Sequence, residues 1–187
     1  MALALVLVLA AFPREARAQR LAIKTNALSW AALAPDLGVE LVVGERTSVS
    51  LEAFGTSLPF GLPYQLLVLQ PEFRFWFNGR PLTREYVGIA AFATTYDLSL
   101  PAAGDRANVF RGDGVALGLS GGYVFNLGKR LNFELSGGTG VLVFRQKQYF
   151  GDDNYEQYFV REHSEPNTSG YKLFPVKLAA TFIYIIK

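Results

Sequence analysis

After residue 19 the apolar positions recur at every second residue, and clusters of Gly, Pro, Asn and Asp cut the alternation into stretches of about ten residues. That period predicts strands rather than helices. Eight are expected, over residues 20–30, 37–44, 47–56, 65–77, 84–96, 113–126, 130–146 and 171–186. The connections after the second, fourth and sixth are short: Gly44-Glu45-Arg46, Asn78 to Thr83, and Leu127-Gly128-Lys129. Those after the third, fifth and seventh are longer, running through Ser57 to Tyr64, Asp97 to Gly112, and Lys147 to Gly170. The first, Ala31 to Asp36, is short where this scheme would allow length. Short turns on one rim and long loops on the other are the mark of an outer-membrane barrel with both termini on the periplasmic side. The expected fold class is therefore all-β, an eight-stranded antiparallel up-and-down transmembrane β-barrel.

A soluble barrel of the lipocalin kind has the same periodicity but puts its apolar face inside, whereas a membrane barrel puts that face outside. The polar partners on each strand decide between them. In strand four Leu67, Leu69, Pro71, Phe73, Phe75 and Phe77 oppose Gln70, Glu72, Arg74 and Trp76. Strands two and three set Glu40 and Glu52 against aliphatic faces, and strand seven sets Leu131, Phe133, Leu135, Val141 and Val143 against Asn132, Glu134 and Ser136. Strand eight sets Phe174, Val176, Leu178, Phe182, Tyr184 and Ile186 against Lys177 and Thr181, and strand one adds Lys24 and Asn26 to the polar face. Strand five, YVGIAAFATTY, alternates too poorly to orient.

The collected polar face holds Lys24, Glu40, Glu52, Glu72, Arg74, Glu134 and Lys177. An Arg or Lys facing lipid at mid-membrane costs roughly 2–4 kcal/mol, so these seven are expected to point into the lumen and pair there. A barrel of eight strands is just wide enough for side chains to fill it, which argues for a closed interior rather than a pore. Trp30, Trp76, Tyr86, Tyr96, Phe125, Tyr171 and Tyr184, all near strand ends, suit interfacial girdles.

The N-terminus adds a compartment to this picture. Ala2 to Phe12 is an unbroken apolar run, and Ala16-Arg17-Ala18 fits an A-x-A cleavage site. Residues 1–18 are expected to be a signal peptide and residues 19–187 the barrel domain, exported to the outer membrane. No later segment reaches the roughly 18 consecutive apolar residues of a transmembrane helix. Composition agrees: 50% of residues are hydrophobic, 14% aromatic and only 18% charged. The net charge of +2 comes from scattered basic residues, so no nucleic-acid partner is expected. Cysteine is absent, which excludes disulfides, thiolate metal sites and a cysteine nucleophile.

Three motifs extend the reading: Lys24-Thr25-Asn26-Ala27-Leu28, Pro35-Asp36-Leu37-Gly38-Val39-Glu40, and Gln70-Pro71-Glu72-Phe73-Arg74-Phe75-Trp76-Phe77. In this order they resemble a family of small, functionally uncharacterised outer-membrane β-barrels common in the Bacteroidota, whose members read KTN-x-L, PNLGVE and QPEYRYWF. Such members end in an apolar strand closed by Lys, as Phe182 to Lys187 does. Asp36 stands here for the usual Asn, and Phe73 and Phe75 for Tyr. The resemblance implies fold and compartment and carries no activity. Many outer-membrane barrels end on an aromatic residue that the assembly machinery reads. This chain ends Ile185-Ile186-Lys187, and the same machinery is expected to insert it, with outer-membrane lipids as its surroundings.

Chemistry is sparse. The single histidine, His163, lies beside Glu162, Ser164 and Glu165 in the longest loop. Some eight-stranded outer-membrane barrels acylate or deacylate lipid A with Ser and His at the rim, but sequence neighbours on a polar loop rarely attain the geometry of such a pair. No catalytic residue is expected. Gly151 to Glu156 offers oxygen ligands without the spacing of a calcium loop, so neither a metal nor a cofactor is expected. Arg111-Gly112-Asp113 opens strand six and is read as a chance tripeptide. The glycine groups around 112–118 and 137–140 precede no helix and cradle no phosphate.

The same loop gathers Tyr149, Phe150, Asp152, Asp153, Tyr155 and Tyr158, candidate contacts for an extracellular or periplasmic partner of unknown identity. The expected role is structural or surface-binding, exercised through the loops at 97–112 and 147–170. The alternatives are a membrane-embedded lipid-modifying enzyme and a soluble exported barrel that binds a small apolar ligand.

Overall fold

The computed structural model describes residues 20–57, 64–99, 109–149 and 168–186. Eight strands follow one another: β1 (Leu21–Asn26), β2 (Asp36–Val42), β3 (Thr47–Ser57), β4 (Tyr64–Trp76), β5 (Arg84–Ser99), β6 (Val109–Asn126), β7 (Leu131–Tyr149) and β8 (Thr168–Ile185). Each pairs antiparallel with the next, and β8 returns to β1 to close the barrel. Among the described residues no helix is long and apolar enough to cross a membrane. The proposed leader, residues 1–18, lies outside the described residues.

The strands expected over 20–30 and 113–126 need the largest corrections. The first ends at Asn26, and Ala27–Ala31 turns into a short helix, α1. Asn26 is its N-cap, with the side-chain oxygen accepting from the Leu28 N–H. The apolar run from Ala27 to Ala34 does not announce that change of period. At the other end of the chain the strands outrun their apolar pattern. β6 begins at Val109 and β7 reaches Tyr149, because outward ion pairs Asp97–Arg111 (3.4 Å) and Asp113–Arg145 (3.9 Å) and the bond from Tyr96 Oη to Gln146 (2.6 Å) continue the cross-strand contacts.

The wall is therefore uneven. β1 and β2 have six and seven residues, whereas β6, β7 and β8 have 18, 19 and 18. The β1–β8 ladder runs only from Ala22↔Ile185 to Asn26↔Thr181. β7 accompanies β8 much further, to Gln146↔Thr168. Between Gly138 and Gly140 the β7–β8 register shifts at a bulge in β8, where Pro175 and Val176 face the single residue Thr139. Below it the even residues Leu178, Phe182 and Tyr184 face outward; above it the odd residues Leu173 and Tyr171 do. Val176 and Lys177 are consequently both buried. Val176, expected on the outer face, stands on the inner side for this reason, and Phe174, expected beside it, remains 36% exposed while its ring meets the inward Phe92.

Facing is otherwise regular. β5 turns Tyr86, Ala90 and Phe92 inward and Val87 and Ile89 outward. Trp76 and Tyr86 are interior residues rather than girdle residues, while Trp30, Phe125, Tyr171 and Tyr184 are exposed. Pro71 has no N–H to give β5, and the β4–β5 ladder skips Gln70 and Pro71 without changing register.

The interior is layered. At the short-turn rim Ala22, Trp76, Leu82, Tyr86, Val124 and Ile183 form an apolar plug. Leu82 belongs to the turn after β4 and folds inward at φ 70°, fully buried, with Asn132 donating to its carbonyl at 2.8 Å. Toward the long-loop rim Val68, Ala90, Phe92, Ala116, Leu142 and Val176 form a second apolar layer. Between the two lies a belt of charge.

Candidate functional site: a buried charge layer

Even-numbered positions on β1 to β4 and β7 share the inward face, so Lys24, Glu40, Glu52, Glu72, Arg74 and Glu134 converge, and the β8 bulge adds Lys177. All seven are at most 4% exposed. Arg74 is central: its guanidinium reaches Glu72 at 2.6 Å, Glu134 at 2.8 Å and Glu40 at 2.9 Å, and stands 4.3 Å from the centre of the Tyr86 ring. Lys24 Nζ lies 3.1 Å from Glu52 and 3.2 Å from both Glu40 and Glu134. Lys177 Nζ closes the circuit to Glu72 at 2.6 Å and Glu52 at 3.3 Å.

Glycines make room for these side chains. A Cβ on Gly38 would stand 2.6 Å from Glu52 Cγ, and one on Gly88 would stand 2.8 Å from Ser120 Oγ.

Four carboxylates face three cations, and neutral donors share the surplus charge. Ser48 donates to Glu40 at 2.6 Å, Ser120 to Glu72 at 2.6 Å and Tyr86 to Glu134 at 2.7 Å. The Trp76 indole N–H supports Ser48 at 2.8 Å. Each of the four glutamates of this layer is within ion-pair distance of at least two cations. A carboxylate engaged in this way is a poor general base, since its lone pairs are already committed. The arrangement suits bracing: buried charges are tolerated when paired and hydrogen-bonded, and removing one partner strands the others. Ser136 Oγ and Thr181 Oγ1 are buried with no partner among the described groups.

A second polar cluster was missed by the sequence reading. Asp36 at the start of β2 accepts from the Asn26 N–H (2.9 Å), Ser29 Oγ (2.8 Å) and Thr25 Oγ1 (3.1 Å), tying both ends of the first connection together. Asn26 Oδ1 also accepts from the Ala180 N–H at 3.0 Å, standing in for β1 beyond its last residue. The signal available was the pair of motifs Lys24-Thr25-Asn26 and Pro35-Asp36, which a strand-only reading leaves without a task.

Of the candidate loop residues, Tyr149 is the last residue of β7. Phe150, Asp152, Asp153, Tyr155 and Tyr158 lie outside the described residues, as does His163. Among the described residues no group of three or more His, Cys, Asp or Glu side chains is arranged to hold a metal.

One protein-family model matches the chain over residues 3–186, and its description is "Protein of unknown function (DUF3575)". No curated protein matches. No solved structure matches either.

Proposed function

Because the chain belongs to this family, whose function is unassigned, we propose from its own geometry that it is an exported outer-membrane β-barrel, closed and braced inside, that works structurally or by binding through its long loops. One observation carries the reading: charge lies within and apolar surface without. Leu67, Leu117, Leu119 and Leu178 are 60–74% exposed while Lys24, Glu40, Arg74 and Glu134 are at most 1% exposed. In water so large an apolar surface would drive association. In a bilayer it is the surface that lipid solvates.

The dimensions agree. The outward apolar run on β6, from Val115 to Phe125, matches the roughly 9–11 residues of a tilted membrane-crossing strand. Above it the Asp113–Arg145 and Asp97–Arg111 pairs face outward, and they mark where β5, β6 and β7 leave the apolar band. β1 and β2 are too short to cross alone. Beside them α1 continues the apolar surface with exposed Leu28, Trp30 and Leu33 in and just after the helix. On this reading residues 1–18 direct export, the outer-membrane assembly machinery inserts the barrel, and the loops meet an external partner.

In cells the protein should remain in the membrane until detergent is added, and should migrate differently on a gel when unheated. Folded protein recovered from a periplasmic extract without detergent would overturn the proposal in favour of a soluble barrel. The lipid-modifying alternative rests on His163. We expect His163→Ala to leave lipid acylation unchanged, and deletion of 150–165 to preserve the gel shift while removing a surface interaction.

A further inference from the structure

The short-turn rim is basic all the way round. Arg20 precedes β1, Arg46 lies in the β2–β3 turn, Arg80 in the β4–β5 turn with Arg84 opening β5, and Lys129 and Arg130 in the β6–β7 turn, all exposed. Among the described residues of this rim only two acids answer these six bases, Glu45 and Glu85, and Glu85 stands 3.5 Å from Arg84. Toward the long loops, by contrast, the outward Arg111 and Arg145 are met by Asp97 and Asp113.

At the β6–β7 turn the bases adjoin an outward shelf of rings. Tyr123, Phe125, Phe133 and Phe182 follow one another across β6, β7 and β8 with ring centres 4.6, 6.5 and 5.2 Å apart. The exposed pair Leu131 and Tyr184 extends the shelf toward the rim. The turn is held closed, since the N–H groups of Leu127 and Gly128 donate to the Leu131 carbonyl at 3.1 and 3.0 Å and the Ile185 N–H donates to the Arg130 carbonyl at 2.8 Å. The turn contains no acid, and the next one along the chain, Glu134, is fully buried in the charge layer. Two cations on long apolar stems can therefore stand at head-group level while the rings below them meet acyl chains. Basic residues at a membrane surface attract anionic lipid by about 1 kcal/mol each.

We propose that the β6–β7 rim is a seat for an anionic glycerophospholipid of the leaflet beside the short turns, with Lys129 and Arg130 holding its phosphate and the ring shelf its chains near the glycerol. The inference rests on the membrane reading above. It assigns a lipid class to the short-turn side, whereas that reading places binding in the long loops.

The test uses the full mature chain, amide- and methyl-labelled, in phosphatidylcholine nanodiscs to which phosphatidylglycerol is added stepwise. Amide signals of Gly128, Lys129, Arg130 and Leu131 should shift saturably, and should stay still with phosphatidylethanolamine, whose head group has no net charge. Inorganic phosphate should also leave them still, because it has no chains for the shelf to hold. Phosphatidylglycerol with a nitroxide on an acyl chain should broaden the methyls of Leu127 and Leu131 more than phosphatidylcholine labelled in the same way. Lys129→Gln combined with Arg130→Gln should raise the phosphatidylglycerol fraction at half-saturation at least about fivefold, in a barrel that keeps the unheated gel shift, while Lys129→Arg should not. Equal shifts from phosphatidylglycerol and phosphatidylethanolamine, or the same shifts from inorganic phosphate, would overturn the inference and leave the membrane reading intact. A chain that does not enter nanodiscs would overturn both.

Discussion

Arg74 shows what a single side chain does in this interior. Its guanidinium is fully buried among Glu40, Glu72 and Glu134 and stacked on Tyr86, so its loss leaves buried carboxylates short of a cation. Arg74→Met should destabilise the barrel by about 3–5 kcal/mol, read as a lower urea midpoint for reversible unfolding in phosphatidylcholine vesicles. Adding Glu134→Met should return about 1–3 kcal/mol of that loss as coupling energy. A lysine would not substitute, because the three carboxylates use the fork of the guanidinium. Much of this was legible from residue parity alone, since Glu72, Arg74 and Trp76 share one face of β4. Parity also placed Trp76 inside, yet its position near a strand end suggested a girdle. Its indole N–H, used by Ser48, explains why a large aromatic sits beside charge. Leu82 gave no signal, because a turn residue at positive φ has no periodicity to read.

At the scale of elements, α1 and its latch hold the shortest part of the wall. Asp36→Ala removes the acceptor for Asn26, Ser29 and Thr25 together, which should free the first connection without disturbing the charge layer below it. We predict amide exchange at Asn26 and Leu28 to accelerate by at least about tenfold, corresponding to ~1.4 kcal/mol of local opening, while exchange on β6 and β7 is unchanged. Asp36→Asn should be milder, since an amide keeps one acceptor oxygen. Elements of period two were readable from sequence to within a few residues. The helix was not, because its five residues are too few to establish a period of 3.6. The β8 bulge was half-legible: Pro175 in a strand argues for an edge or a bulge, but only the observed register shift tells which face Phe174 and Val176 take.

At the scale of the molecule, two apolar layers enclose one charged layer, and an apolar exterior encloses all three. Eight strands, their order and the two unlike rims followed from turn spacing. The uneven height of the wall did not, because it depends on where β1 stops and on polar pairs that extend β6 and β7 beyond their apolar residues. The account stands or falls on that exterior facing lipid, and the two tryptophans test it directly. Trp30 is 54% exposed on α1, whereas Trp76 is fully buried in the short-turn plug. In vesicles of brominated phosphatidylcholine, Trp76→Phe, which keeps only Trp30, should lose most of its fluorescence, and Trp30→Phe, which keeps only Trp76, should lose far less. Equal emission in brominated and ordinary lipid for both variants, or stronger quenching of Trp76 than of Trp30, would contradict the account.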